Sequence, residues 1–239
     1  MKRRPADEIR AELLELADPA IAEHSQRFFK TGPGQYGAGD RFLGVRVPAL
    51  RRLAAAHRAA PESAAWALLK SRENEARLLA LFMLVARFEG GTAKARERIY
   101  TRYLREIRKR VNNWNLVDSS ASQIVGAYLE HRDRKPLYVL ARAASLWERR
   151  VAIVATHWFI KRNSYADTLA IAEILLGDEE DLIHKATGWM LREVANRNGP
   201  KAEAFLRRHH RNMPRTMLRY AIEKLPENRR REYLAGTVR

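Results

Sequence analysis

The chain has 239 residues, and 46% of them are hydrophobic, which is the composition of a folded protein. It contains no cysteine, which excludes disulfide bonds, cysteine nucleophiles and cysteine-based zinc sites. Lys and Arg number 45 against 28 Asp and Glu, and the resulting formal charge of +17 favours a polyanionic partner, nucleic acid before an anionic membrane surface.

The beginning of the chain predicts neither a secretion signal nor a membrane anchor. The acidic residues Asp7 and Glu8 follow the basic start, where a signal peptide has its apolar segment. The longest apolar run, residues 78–86, is much shorter than the ~20 residues that cross a bilayer. We therefore expect an intracellular, cytoplasmic protein.

Apolar residues recur with helical spacing along nearly the whole chain, which predicts an all-α fold. Proline suits the first turn of a helix, where its missing N–H is not needed. We expect the following prolines to mark helix starts: Pro19, Pro48, Pro61, Pro136, Pro200 and Pro214.

A glycine-rich stretch, residues 32–39, follows the second predicted helix and reads as a loop. It lacks the Lys-Ser/Thr ending of a phosphate-binding loop, so we expect no nucleotide cofactor there.

Three segments resemble one another, because each has a basic residue at a helix start followed by an apolar run: residues 75–82, 148–155 and 183–190. Arg150 and Lys185 lie 35 positions apart, and similar steps back from Arg150 reach Asn115 and then Arg77. A period in the thirties predicts a HEAT-like solenoid of helix pairs.

Such a solenoid would align equivalent helices along a concave, basic groove, with Arg77, Trp114, Asn115, Arg150 and Lys185 on its wall. The stretch 201–239 adds eleven Lys and Arg against four Glu. We expect one HEAT-like domain over residues 1–239, with capping helices in 1–35, the repeats in 40–195 and basic helices in 200–239.

The segment 113–118, Asn-Trp-Asn-Leu-Val-Asp, predicts a helix start, since Asn113 and Asn115 are both good N-caps. Trp114 and Asp118 are four residues apart and would share a face of that helix. An indole beside a carboxylate in a basic protein is the one constellation here that could carry chemistry.

Four elements occur in order along the chain: residues 42–48 (Phe-Leu-Gly-Val-Arg-Val-Pro), residues 113–118, residues 146–153 (Leu-Trp-Glu-Arg-Arg-Val-Ala-Ile) and residues 185–193 (Lys-Ala-Thr-Gly-Trp-Met-Leu-Arg-Glu). Together they resemble elements of the AlkD family of DNA glycosylases. Residues 42–48 match its Phe-Leu-Gly-x-x-x-Pro, and residues 113–118 are similar to its Trp-Asp-x-Val-Asp element. Residues 146–153 look like its Trp-x-x-Arg-x-Ala-Ile, and residues 185–193 like its Lys-Ala-x-Gly-Trp-x-Leu-Arg-Glu. Asn115 departs from the family by replacing an aspartate, and we expect helix capping to survive this change.

The resemblance implies a glycosylase that releases alkylated bases such as 3-methyladenine and 7-methylguanine from duplex DNA. We expect it to be a monomer, since solenoid caps and duplex binding require no partner subunit, and to need no cofactor or metal. The resemblance also implies that the catalytic residues are Trp114, Asp118 and Arg150. The predicted DNA-binding residues are Trp189, Arg192, Lys185, Arg46 and Arg77.

Alkylation makes the purine cationic, so the base leaves without a general acid and the sugar develops oxocarbenium character. A carboxylate such as Asp118 would stabilise that charge, and indoles would contact the cationic lesion. The alternative that remains open is a non-catalytic DNA-binding protein of the same fold that recognises distorted or branched DNA. A scaffold for an acidic protein and a membrane-surface role fit these residues less well.

Overall fold

The computed structural model of the chain describes residues 4–238. Residues 1–3, which begin the predicted capping segment, and residue 239 lie outside this range. Within it the secondary structure is helical, with no β-strand and only a single-residue parallel bridge between Arg41 and Glu73. The predicted all-α fold is therefore confirmed. No helix in the range described has both the length and the apolar character needed to span a bilayer.

The chain forms two compact units, residues 1–120 and residues 121–239. The helices of the first unit are α1 (Pro5–Glu15), α2 (Pro19–Phe28), α3 (Val47–Ala56), α4 (Glu62–Leu68), α5 (Asn74–Glu89), α6 (Ala93–Glu106) and α7 (Trp114–Asp118).

Helix α5 is the centre of the first unit. Every side chain from Asn74 to Leu84 is buried, because α3, α4, α6 and α7 all pack against this helix. Its apolar run, residues 78–86, is hydrophobic around the whole circumference, which is the pattern of a helix covered on all sides. Any polar side chain at the start of α5 must therefore find its partners inside the protein.

The second unit begins with a π-helical turn (Ser122–Gly126) and has a 3₁₀ turn (Leu175–Gly177) before α12. Its α-helices are α8 (Lys135–Leu140), α9 (Leu146–Ala155), α10 (His157–Ile160), α11 (Ala166–Ile174), α12 (Asp181–Ala195), α13 (Gly199–His209), α14 (Arg215–Ala221) and α15 (Glu227–Ala235).

Helices α9, α12 and α14 are successive neighbours within the second unit, since α12 packs against both of the others. They begin at residues 146, 181 and 215, so the starts are 35 and 34 residues apart. This spacing agrees with the period inferred from the sequence and is that of a short helical repeat. The predicted single domain and its segment boundaries stay predictions.

The six prolines expected at helix starts are all found there, either as the N-cap or within the first two helical residues. Two glycines allow close packing between elements. Gly44 has φ +81°, and a Cβ on it would lie 2.1 Å from the carbonyl oxygen of Asp18. A Cβ on Gly188 would lie 2.5 Å from the carbonyl oxygen of Met217, so only glycine lets α12 approach α14 this closely.

Candidate functional site

Helix α7 carries Trp114 as its first residue and Asp118 as its last, and both side chains are half-buried. Asn113 is the N-cap, with its side-chain oxygen accepting a hydrogen bond from the backbone N–H of Trp114 at 2.8 Å. Of the two asparagines that the sequence offered, Asn113 is thus the capping residue. Capping has survived the change at Asn115, as expected.

A hydrogen-bonded chain anchors the C-terminal part of α7. The Ser120 hydroxyl donates to the carbonyl oxygen of Leu116 at 2.6 Å, and the Tyr103 hydroxyl lies 2.8 Å from the Ser120 hydroxyl. Tyr103 is fully buried, and this burial raises the pKa of its phenol, with the negative charge of Asp118 adding to the shift. Tyr103 therefore stays neutral and serves as a fixed support beneath α7.

Three aromatic rings form a stack that ends on the indole of Trp114. Phe29 is stacked on Trp114 with 4.9 Å between ring centroids and 9° between planes, and Phe42 is stacked on Phe29 at 4.6 Å. Phe28 meets Trp114 edge-on at 6.0 Å and is 58% exposed. Phe28 and Phe29 were not among the residues predicted for the site. Their position as an aromatic pair just before the glycine-rich loop was the feature of the sequence that could have indicated them.

A buried polar network lies between the glycine-rich loop, α5 and α7. Arg77 donates to Asp40 Oδ1 at 2.7 Å, and both side chains are 5% exposed. The sequence predicts Arg77 at the DNA-binding face. Its guanidinium is buried against a carboxylate instead, so we propose no DNA contact for Arg77.

The segment 42–48 is held by the buried carboxylate of Glu75. Its two oxygens accept the backbone N–H groups of Leu43 and Gly44 at 3.0 and 2.9 Å. Burial raises the pKa of Glu75, while backbone N–H donors oppose the shift. Arg46 is exposed at the N-cap of α3, so its guanidinium is accessible for a phosphate contact.

In the second unit, Arg150 is buried in α9 and donates to the carbonyl oxygen of Leu182 at the start of α12. The preceding residue, Arg149, pairs with Asp178 at 2.6 Å and also binds carbonyl oxygens of the turn before α9. These bonds give the start of α9 a fixed position relative to the start of α12.

Trp189 lies half-buried on α12 with the ring of His157 5.6 Å away. Burial lowers the pKa of His157, and the positive charges of Lys161 and Arg197 strengthen the shift against the opposing charge of Glu193. The imidazole is therefore held toward its neutral form beside the indole.

The other two basic residues predicted to bind DNA in the second unit are paired with acids. Lys185 lies 2.8 Å from Asp181 and is 41% exposed, and the half-buried Arg192 pairs with Glu223, which is 46% exposed. The Lys185–Asp181 pair is open to solvent and therefore weak. Among residues 4–238, no three His, Asp or Glu side chains cluster in a way that could hold a metal ion.

Comparison with known proteins identifies the family. Residues 9–225 match the family described as DNA alkylation repair enzyme. A solved structure described as "Predicted DNA alkylation repair enzyme from Enterococcus faecalis" has a TM-score of 0.68 and 16% identity, covering 88% of this chain and 97% of that chain, which shows a shared fold. No curated protein matches the chain. Since the family match extends over most of its length, the chain belongs to the DNA alkylation repair enzyme family.

Proposed function

We propose that the protein is a DNA glycosylase that hydrolyses the N-glycosidic bond of cationic alkylated purines, 3-methyladenine and 7-methylguanine, in duplex DNA. Family membership supports a role in alkylation repair. The observation that carries the finer proposal is the presence of Trp114 and Asp118 on one short, firmly supported helix. This proposal also implies an intracellular protein that works as a monomer without a cofactor.

The chemistry needs a stabilised sugar cation and a positioned water molecule. As the base leaves with the bonding electron pair, the deoxyribose gains positive charge, which the Asp118 carboxylate would stabilise. Asp118 would also orient the water whose oxygen bonds to the anomeric carbon as one of its protons passes to solvent. Trp114 would contact the sugar and the cationic base, where a cation over an indole gains roughly 0.5–2 kcal/mol.

Binding would use the charge of the whole chain as well as particular contacts. We assign the second aromatic contact to Trp189. Arg150 is as buried as Arg77, so it would reach the phosphate beside the lesion only if its bond to the carbonyl oxygen of Leu182 gave way to the phosphate. Further phosphate contacts are assigned to Arg46, Lys185 and Arg192. Because phosphate neutralisation releases counterions, the logarithm of affinity should fall linearly with the logarithm of salt concentration.

The test is release of 7-methylguanine from a methylated duplex under single-turnover conditions at low salt. We expect Asp118→Asn, which removes the charge and keeps the shape, to lower the rate about 100-fold or more while duplex binding persists. The matched control is Asp133→Asn, an exposed aspartate paired with Lys135. It should match the wild type.

Equal rates for Asp118→Asn and the wild type would contradict the role of Asp118. No release by either protein, with duplex binding retained, would replace the glycosylase proposal with a non-catalytic DNA-binding function for distorted or branched DNA.

A further inference from the structure

Asp40 is a buried carboxylate at the end of the glycine-rich loop, and three donors converge on it. Arg77 donates to Oδ1 at 2.7 Å, while the side-chain amides of Asn74 and Asn113 each donate to Oδ2 at 2.9 Å. All three donors come from the first unit, and Asp40 itself is buried. Three donors face these two oxygens, so the position requires a side chain whose two oxygens both accept hydrogen bonds, as those of a carboxylate do.

The carboxylate determines how two asparagine amides near α7 are oriented. Asn113 donates its Nδ2 to Asp40, which leaves its Oδ1 to cap the N–H of Trp114 at 2.8 Å. Asn74 also donates to Asp40, which leaves its Oδ1 to accept from Asn115 Nδ2 at 2.7 Å. The charge of Asp40 thus fixes both the N-cap and the first turn of α7.

The segment from Phe29 to Asp40, which contains the glycine-rich loop, also presents the ring that stacks on Trp114. It folds back on its own start, where the N–H of Gly37 donates to the carbonyl oxygen of Lys30 at 3.1 Å. A Cβ on Gly37 would lie 2.3 Å from the carbonyl oxygen of Phe29, so this closure requires glycine. At one end of this segment, Phe29 supports the indole of Trp114. At the other end, Asp40 supports the backbone N–H of Trp114 through Asn113.

We propose that Asp40 is a positioning residue for base excision, which acts through Asn113 to hold Trp114 and Asp118 in their working geometry. The inference rests on the glycosylase function proposed above. Asp40 has no contact with DNA in this scheme. Its contribution is to the rate of the chemical step, because small displacements of reacting groups have large effects on that step.

The decisive variant is Asp40→Asn, which keeps the shape but turns an NH₂ group toward at least one of the three donors. We expect the single-turnover rate of base release to fall about 10- to 100-fold while DNA affinity stays close to that of the wild type. In protein labelled with 5-fluorotryptophan, the ¹⁹F resonance of Trp114, assigned through Trp114→Phe, should shift.

A second variant, Gly37→Ala, leaves every charge in place but obstructs the loop closure. It should lower the rate in the same direction and shift the same resonance, which keeps the proposal testable if Asp40→Asn does not fold. The matched control is Asp167→Asn. Asp167 is also a partly buried carboxylate in an ion pair, 2.6 Å from Arg134, and it accepts from Tyr138 as well. All variants are compared well below their melting temperatures.

A wild-type rate in both Asp40→Asn and Gly37→Ala would overturn the proposal. The proposal would also be overturned if Asp40→Asn lowered the rate no more than Asp167→Asn does and left the ¹⁹F resonance of Trp114 unmoved. Asp40 would then have only a structural role. If the wild type itself releases no base, the glycosylase proposal fails. The fluorine resonance would still report whether Asp40 positions Trp114.

Discussion

Replacing Gly188 with alanine adds one methyl group where α12 lies against α14. The new Cβ would be 2.5 Å from the carbonyl oxygen of Met217 and 3.3 Å from the backbone nitrogen of Ala221. It would also be 2.5 Å from the Cβ of Tyr220. Backbone atoms cannot rotate away as a long side chain can, so α14 must move by roughly 0.5–1 Å. A gap of that width forfeits about a quarter to a half of the dispersion energy of the contacts it separates.

Overpacking of this kind destabilises a protein by about 1–3 kcal/mol, and we take the upper end because the obstacles include backbone atoms. Alanine recovers about 1 kcal/mol through its higher helix propensity. The free energy of unfolding should therefore fall by about 2 kcal/mol, which for a chain of this size lowers the melting temperature by roughly 4–8 °C.

Thermal unfolding followed by circular dichroism measures this directly. The control is Gly177→Ala, since a Cβ on Gly177 meets nothing within 4 Å. Its free energy of unfolding should stay within about 0.5 kcal/mol of the wild type. An unchanged or raised melting temperature for Gly188→Ala would refute the argument that close approach of α14 requires glycine at this position.

Three further predictions concern the supports of the site. Phe29→Leu removes the ring stacked on Trp114. Such a pair contributes about 0.5–1.5 kcal/mol, so the rate of base release should fall about 2- to 12-fold. The control Phe88→Leu should leave the rate of base release unchanged. The pKa of His157 is lower in the folded chain than in the unfolded chain. As the pH falls below the usual value of 6.5, the imidazole is therefore protonated first in the unfolded chain, and the free energy of unfolding declines. His157→Gln should therefore lose less melting temperature than the wild type between pH about 8 and about 5.5, and identical losses would contradict this. Glu75→Gln leaves the backbone N–H of either Leu43 or Gly44 without an acceptor. The unmet hydrogen bond destabilises the fold, but removing the buried charge offsets part of this cost. Urea unfolding should therefore show a free energy of unfolding lower by about 1 kcal/mol. If Glu75→Gln were as stable as the wild type, one hydrogen bond from Leu43 or Gly44 would be sufficient.

The helical architecture followed from local features of the sequence. Proline at the first turn and asparagine at an N-cap act through the backbone within a few residues, so the starts of the helices and a cap at Asn113 or Asn115 were predictable. The spacing of Arg150 and Lys185 was also sufficient to predict the repeat that α9 and α12 display. Trp114 and Asp118 were recognisable as a pair because four residues bring two side chains to one face of a helix.

The surroundings of that pair were decided by contacts between distant parts of the chain. Asp40 and Asn113 are 73 positions apart, and nothing local marks the carboxylate as the acceptor that orients the amide. Helical spacing placed Arg77 at the start of a helix but could not reveal that a loop would bury it. A charged side chain is tolerated inside a protein only when a partner arrives from elsewhere, and that partner is a property of the tertiary structure. The sequence by itself therefore determined the helices and their repeat and indicated the residues that we propose for the chemistry, whereas the tertiary structure alone decided which of the polar residues are buried supports.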